Sequence, residues 1–215
     1  MKQLNWATLG CGVIANELAH ALSKEGRTLY SVANRTHEKA VAFAQKYGIS
    51  KVYDNIDDVF YDPDVDIIYI STPHNTHINY LRKALSNGKH VLCEKSITLN
   101  IAELDEAVSL AKENNVILAE AMTIYHMPVY KKLNEIIASG QLGRLNLIQV
   151  NFGSYKDYNM TNRFFSRKLA GGALLDIGVT HFLLSAGSSR KHQHKYRHRL
   201  NMHQPVLMNR QVFCL

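Results

Sequence analysis

Apolar positions in the first 120 residues alternate between short continuous runs and helical spacing. Leu4–Leu9 is a short, mostly apolar run that ends in glycine, which predicts a strand. From Val13 to Lys24 the apolar residues Ile14, Leu18, Ala21 and Leu22 recur at helical spacing, so a helix follows. Thr28–Ala33 predicts a second strand, and Glu38–Tyr47 a helix that Gly48 stops. Asp66–Ser71 predicts a strand, Asn75–Asn87 a helix closed by Gly88, and His90–Cys93 another strand. Ala102–Glu113 carries Leu104, Ala107, Val108 and Ala111 on one face, with Asn100 placed to cap it. Val116–Ala119 predicts the next strand. Strands and helices alternating at this spacing imply βαβ units and a parallel sheet, an α/β fold.

The pattern then changes. Pro128–Ser139 predicts a helix ending at Gly140, and Leu145–Gly153 a longer strand with weak alternation. Gly171–Gly178 reads as a glycine turn leading into a helix start. The boundary is expected near residues 120–125: 1–122 as one domain, 123–179 as the start of a second α/β domain, and 180–215 as a separate tail.

Composition adds bounds. Hydrophobic residues make up 46% of the 215 and charged residues 20%, a globular profile. No apolar run is long enough to span a membrane, and no membrane partner is expected. Met1-Lys2-Gln3-Leu4-Asn5-Trp6 leads directly into a strand pattern without an apolar h-region, so no secretory signal is expected. Cys11, Cys93 and Cys214 are odd in number and far apart, which fits a reducing, cytoplasmic setting. The formal charge of +7 belongs to the tail, where residues 180–215 hold six Lys/Arg and no acid. The body before it carries the other 19 basic residues against 18 acids, too balanced for a nucleic-acid footprint.

Four segments follow strands and carry candidate chemistry. Gly10-Cys11-Gly12-Val13-Ile14-Ala15 is a G-x-G-x-x-A between a strand and a helix, the context of a dinucleotide-binding turn. Gly10 allows the tight turn, Gly12 lets backbone approach a pyrophosphate, and Ala15 lets helix and strand pack closely. The amides of Val13, Ile14 and Ala15 would then face the phosphates. At the end of the second strand, Asn34 and Arg35 stand where NAD-preferring sites carry an acid. Arg35 can pair with a 2′-phosphate, so NADP is expected, with NAD possible. Thr72, Pro73, His74, Asn75 and His77 follow the third strand and could reach ribose or nicotinamide. Glu94 and Lys95 close the fourth, and a lysine there can hydrogen-bond the hydroxyl that loses its proton as hydride leaves. His74, His77, His90 and Cys93 show no zinc-type spacing, and no metal is expected.

Taken in order, GCGVIA, ANRTHEKAVAFAQKYG, ISTPHNTH, GKHVLCEKS and GGALLDIG resemble the Gfo/Idh/MocA family over roughly residues 4–179. VLCEK and GGALLDIG are most similar to its dimeric dihydrodiol dehydrogenase and NADP-dependent D-xylose dehydrogenase branch. The resemblance implies a Rossmann domain followed by an α/β domain whose open sheet carries substrate contacts and a homo-oligomer interface. It implies hydride transfer between a nicotinamide and a sugar, polyol or diol. By the match, Lys95 is the catalytic lysine of the family's Glu-Lys-Pro motif and Asp176 the acid of its Asp-x-Gly motif.

Three departures alter the expectation. Ser96 replaces the motif's proline, and Thr180 stands where a catalytic Tyr or His is expected, with His181 next. The family's second domain normally runs well past the length remaining here, so the domain and its oligomer interface are expected to be incomplete. The tail holds five histidines and no periodicity, and reads like text from a shifted frame. Val-Thr-His-Phe can be written GTT ACG CAC TTT, and restoring a T after the first codon reads Val-Tyr-Ala-Leu, with the missing tyrosine in place. A nucleotide-binding protein without turnover is therefore the alternative to a working dehydrogenase.

Overall fold

In the computed structural model, six parallel strands form one sheet in the order β3-β2-β1-β4-β5-β6. They are β1 (Trp6–Leu9), β2 (Ser31–Ala33), β3 (Lys51–Val52), β4 (Ile67–Ile70), β5 (His90–Glu94) and β6 (Leu118–Ala121). The structure describes residues 3–151, 164–180, the single positions 153, 155, 157 and 159, and the backbone of 197–199 and 212–214. It divides into two units, 1–121 and 122–215.

In the first unit, α1 (Val13–Lys24) and α2 (His37–Tyr47) cover one face of the sheet, where Ala15, Ala19, Val32, Ala40 and Phe43 share a buried cluster. On the other face, α3 (Asp58–Tyr61), α4 (His77–Ser86) and α5 (Ile101–Glu113) bury Phe60, Leu81, Leu85 and Ala107 against Leu9, Ile68, Ile70 and Val91. A sheet buried on both faces explains strands that read as continuous apolar runs. Successive residues of one strand point to opposite faces, so Val32 joins the first cluster and Ala33 the second.

The local signals hold up. Val13–Lys24 is helical as expected, and Gly48 ends α2 in the left-handed region at φ 66°. Asn100 caps α5, its side chain accepting from the Glu103 N–H at 2.9 Å. The Glu103 carboxylate reaches back to the Leu99 N–H at 3.0 Å. Differences lie at strand ends. Thr28–Tyr30 stays outside β2, and β6 lies two residues later than the apolar pattern suggests. The sequence reading omits β3 and α3 altogether. Each is too short to show a period, and the pairing of Ser31–Val32 with Lys51–Val52 makes β3 a strand.

An acidic hub ties these short elements together. The Asp62 carboxylate accepts from the Tyr53 hydroxyl at 2.5 Å and the Asp64 N–H at 2.9 Å, and pairs with Lys51 at 2.6 Å. Burial opposes the charge of Asp62, but the Lys51, Tyr53 and Asp64 donors outweigh it and hold the carboxyl below its ordinary range. A depressed folded pKa contributes stability that is complete above the unfolded value and is lost as pH falls through the folded one. Asp62→Ala is expected to cost ~1–3 kcal/mol by stranding the Tyr53 and Asp64 donors. The variant's loss should shrink below about pH 4. Thermal unfolding at pH 7 and pH 3 checks this, and an equal loss at both would refute it.

The second unit begins with a short turn and α6 (Pro128–Ala138), with Pro128 at its first position. Of the expected strand Leu145–Gly153, only β7 (Gln149–Val150) forms. Apolar residues on both of its faces do not specify a register, which fits that short extent. β7 pairs antiparallel with β9 (Val212–Cys214), which pairs antiparallel with β8 (Arg197–Arg199). β8 and β9 both lie within 180–215, where three-residue strands are too short to show a period. The shifted-frame reading otherwise rests on positions outside the described residues, including His181, His192, His194 and His203. Leu174–Gly178 forms a single wide helical turn. No helix among the described residues is long and apolar enough to cross a membrane.

Candidate functional site

The sheet register brings the expected segments to one edge. Leu9 pairs with Ala33 on one side and Ile70 on the other, Ile70 with Cys93, and Cys93 with Glu120. The residues that follow this row, Gly10, Asn34, Ser71 and Glu94, therefore emerge together at the carboxyl ends of the strands. In open parallel sheets this edge holds the ligand crevice.

The glycine loop turns directly out of β1. Gly10 has φ +103°, and a Cβ there would lie 2.9 Å from Ser71 Oγ and 3.1 Å from the Ser71 carbonyl oxygen. Its N–H donates to the Ala33 carbonyl at 2.8 Å, which binds the loop to β2. Gly12 is the N-cap of α1 and has no side chain to satisfy the first amides, and no acid occupies the first turn. A Cβ on Gly12 would meet nothing within 4 Å. Val13, 83% exposed, and Ile14, 41% exposed, open the helix, while Ala15 is fully buried against the sheet. Uncapped amides beside open space form an anion site, and these residues fit a pyrophosphate. Asn16 steadies the loop: its Nδ2 donates to the Gly12 carbonyl at 2.9 Å, and its Oδ1 accepts from Lys46 and Tyr47, each at 2.8 Å.

After β2, the Asn34 Nδ2 donates to the Thr36 carbonyl at 2.9 Å, closing the turn into α2. Arg35 is exposed and has no salt-bridge partner among the described residues. Lys39, in the first turn of α2, was not marked in the sequence. Its position shows in Cys11: burial pushes that thiol up, and the Lys39 charge draws it back down. Lys39 is thus a second cation on the flank of the glycine loop. It follows Arg35 by four positions, across the turn that leads from β2 into α2.

After β4, the Thr72 hydroxyl accepts from Thr76 at 2.8 Å and Pro73 leads into a short turn, His74–Thr76. The Oδ1 of Asn75 is buried with no partner among the described residues. An unsatisfied buried acceptor costs ~1–3 kcal/mol, a cost that a ligand donor would remove. The two histidines are used differently from the sequence reading. The His74 Nε2 faces the Lys95 carbonyl at 3.0 Å, and the His77 Nδ1 the Ser96 carbonyl at 2.9 Å. The other nitrogen of His77 faces the Thr72 carbonyl at 2.8 Å. His77 has no exposed surface, and burial pushes its imidazole below the ordinary range against the pull of these carbonyls. Both rings serve backbone.

Glu94 ends β5 and accepts from the Tyr69 hydroxyl at 2.5 Å. Burial first, then the Glu94 charge, push the Tyr69 phenol up, so the phenol remains the donor. Lys95 follows, half-buried, and the Lys95–Ser96 peptide is cis. The Ile97 N–H donates to Glu120 Oε1 at 2.9 Å. Glu120 also escaped the sequence reading, since it lies on β6 with no motif around it. Burial raises its carboxyl, the Ile97 N–H lowers it and Glu94 raises it further. In the second unit, Asp176 lies inside the turn Leu174–Gly178 with its N–H on the Gly172 carbonyl at 3.3 Å, and Thr180 follows half-buried. Among the described residues no three His, Cys, Asp or Glu side chains converge as a metal site requires.

Comparison with known proteins supplies the context. Residues 4–122 match the family model described as an oxidoreductase family with an NAD-binding Rossmann fold, and residues 130–184 match a GFO/IDH/MocA C-terminal domain. A trans-1,2-dihydrobenzene-1,2-diol dehydrogenase of Xenopus tropicalis is 34% identical over 176 residues, 80% of this chain and 53% of the relative. A 3-ketoreductase from Actinomadura kijaniata, solved with NADP and TDP-benzene, is 26% identical with a TM-score of 0.75, covering 83% of this chain and 55% of that one. A protein of gentamicin A biosynthesis, solved with NAD, shares the fold with a TM-score of 0.81 at 23% identity, covering 92% of this chain and 56% of that one. The chain thus spans about half the length of the curated relatives it matches.

Proposed function

The chain belongs to the Gfo/Idh/MocA family of oxidoreductases, and on that footing we propose that it binds NADP(H) and passes hydride between the nicotinamide and a sugar, polyol or diol. The observation that carries the reading is the shared sheet edge. There the uncapped amides of α1 and the end of β5 before Lys95 open at the same row of residues. The bound nicotinamide supplies the hydride chemistry, and the protein supplies position and charge. The amides that open α1 hold the pyrophosphate, and Asn75 offers its orphaned oxygen to a ribose or carboxamide donor. Lys95 takes the proton from the substrate hydroxyl as the carbinol carbon loses hydride, and returns it in the reverse direction. Asp176 is assigned to orient or charge-balance the substrate.

Arg35 and Lys39 set the coenzyme preference. Two cations, with no acid at positions 34–37 directly after β2, favour a 2′-phosphate, and one charged contact contributes roughly 1.5–3 kcal/mol. NADPH is therefore expected to bind about tenfold or more tighter than NADH. Arg35→Ala should erase most of that ratio, and adding Lys39→Ala the remainder. Fluorescence titration with both coenzymes tests this, and equal affinities in the parent protein would sink it.

Thr180 favours a second reading, since a threonine hydroxyl is a poor general acid where the family uses Tyr or His. A screen of sugars, polyols and vicinal diols with NADP+ and NADPH separates the two. Turnover supports the dehydrogenase, and tight NADPH binding with no turnover of any substrate supports a binding protein.

A further inference from the structure

Three consecutive backbone groups beside Lys95 each lie against a side chain from another segment of the chain. The carbonyl of Lys95 takes the ring N–H of His74, the carbonyl of Ser96 faces His77, and the N–H of Ile97 donates to Glu120. A carbonyl can only accept, so the His74 Nε2 must carry a proton. His74 is 7% exposed and His77 fully buried. His74 and His77 come from the loop and helix after β4, and Glu120 from β6. The lysine is thus flanked by anchors on both neighbouring strands' elements. The first residue after a strand has no ladder to define its direction, and these contacts replace one.

We propose that Glu120 and His74 are positioning residues, which aim the Lys95 amino group by fixing the backbone of Lys95–Ile97. The inference rests on reading Lys95 as the proton-transfer group. Glu120 is not assigned to substrate or coenzyme, and the His74 Nε2 is spent on the Lys95 carbonyl rather than on a ribose. Misplacing a reacting group by about 1 Å can cost 10²-fold in rate, so small slackness here is costly.

Glu120→Gln keeps an oxygen acceptor for the Ile97 N–H, and Glu120→Met removes it. In the full chain, lysines are converted to their 13C-dimethyl forms and the Lys95 resonance is assigned with Lys95→Arg. Glu120→Met is expected to displace that resonance and lower kcat by about 10²-fold, with NADPH affinity unchanged. Glu120→Gln is expected to retain the parent resonance and most of the rate. His74→Phe keeps a ring of similar shape without the donor and should displace the same resonance, which covers the case in which the methionine variant does not fold. A Glu120→Met or His74→Phe protein with lowered Tm but parent-like Lys95 resonance would show a merely structural contact and overturn the proposal. A Glu120→Gln protein that behaves like Glu120→Met would overturn it too. Absence of turnover in the parent counts against the dehydrogenase reading alone, and the resonance then decides the positioning role.

Discussion

Lys95→Met should slow hydride transfer by ~10²–10⁴-fold while leaving NADPH affinity within about twofold. The substitution keeps most of the stem and removes the amino group assigned to proton transfer at the end of β5. The Oε1 of Glu94 already accepts from the Tyr69 hydroxyl at 2.5 Å, which ties that carboxylate to β4. The loop proposed to hold the pyrophosphate belongs to β1 and α1, so coenzyme binding is expected not to depend on the Lys95 amino group. Steady-state rates with a responsive diol or sugar, set beside a coenzyme titration, give the answer. A variant that keeps more than a tenth of the parent rate would remove Lys95 from the mechanism.

The glycine pair gives the second large effect, and it separates fold from binding. Gly10→Ala puts a Cβ 2.9 Å from Ser71 Oγ and 3.1 Å from the Ser71 carbonyl oxygen at φ +103°. Ser71 cannot retreat easily, since its N–H donates to the Leu9 carbonyl at 3.0 Å. Backbone strain of roughly 1–3 kcal/mol and overpacking of a similar size add up to a large share of a typical domain's stability. Gly12→Ala meets nothing within 4 Å, and φ −75° suits any residue. It should leave the unfolding temperature near that of the parent while its methyl occupies the space beside the first amides of α1. Gly10→Ala is therefore expected to lose both stability and NADPH binding, and Gly12→Ala binding alone. Thermal unfolding with and without NADPH measures both. A Gly12→Ala protein that still gains stability from NADPH as the parent does would place the pyrophosphate elsewhere.

Much of the first unit was legible because its signals are local. A helix writes its period into the chain, and Val13–Lys24 and Ile101–Glu113 show it. Gly10 and Gly12 mark the turn by residue type, and Asn100 marks a helix start through a contact three residues away. Such features depend on backbone dihedrals and i to i+4 neighbours, which sequence records directly. The second unit was less legible, because a two-residue strand such as β7 owes its existence to pairing across the chain.

The site itself divides along the same line. Chemical type and approximate place came from the chain alone: Lys95 after an apolar strand, Arg35 in place of an acid, a glycine loop before α1. The use of each side chain came from the sheet. Only the register of β4, β5 and β6 sends His74 and His77 to the Lys95 and Ser96 carbonyls and brings Glu120 to Ile97. Only the packing of α2 beside the glycine loop reveals Lys39 as a neighbour of Cys11. A histidine carries the same donors whether it meets a coenzyme or a carbonyl. Which one it meets depends on residues about twenty positions away, brought within 3 Å by strand pairing that no local pattern encodes.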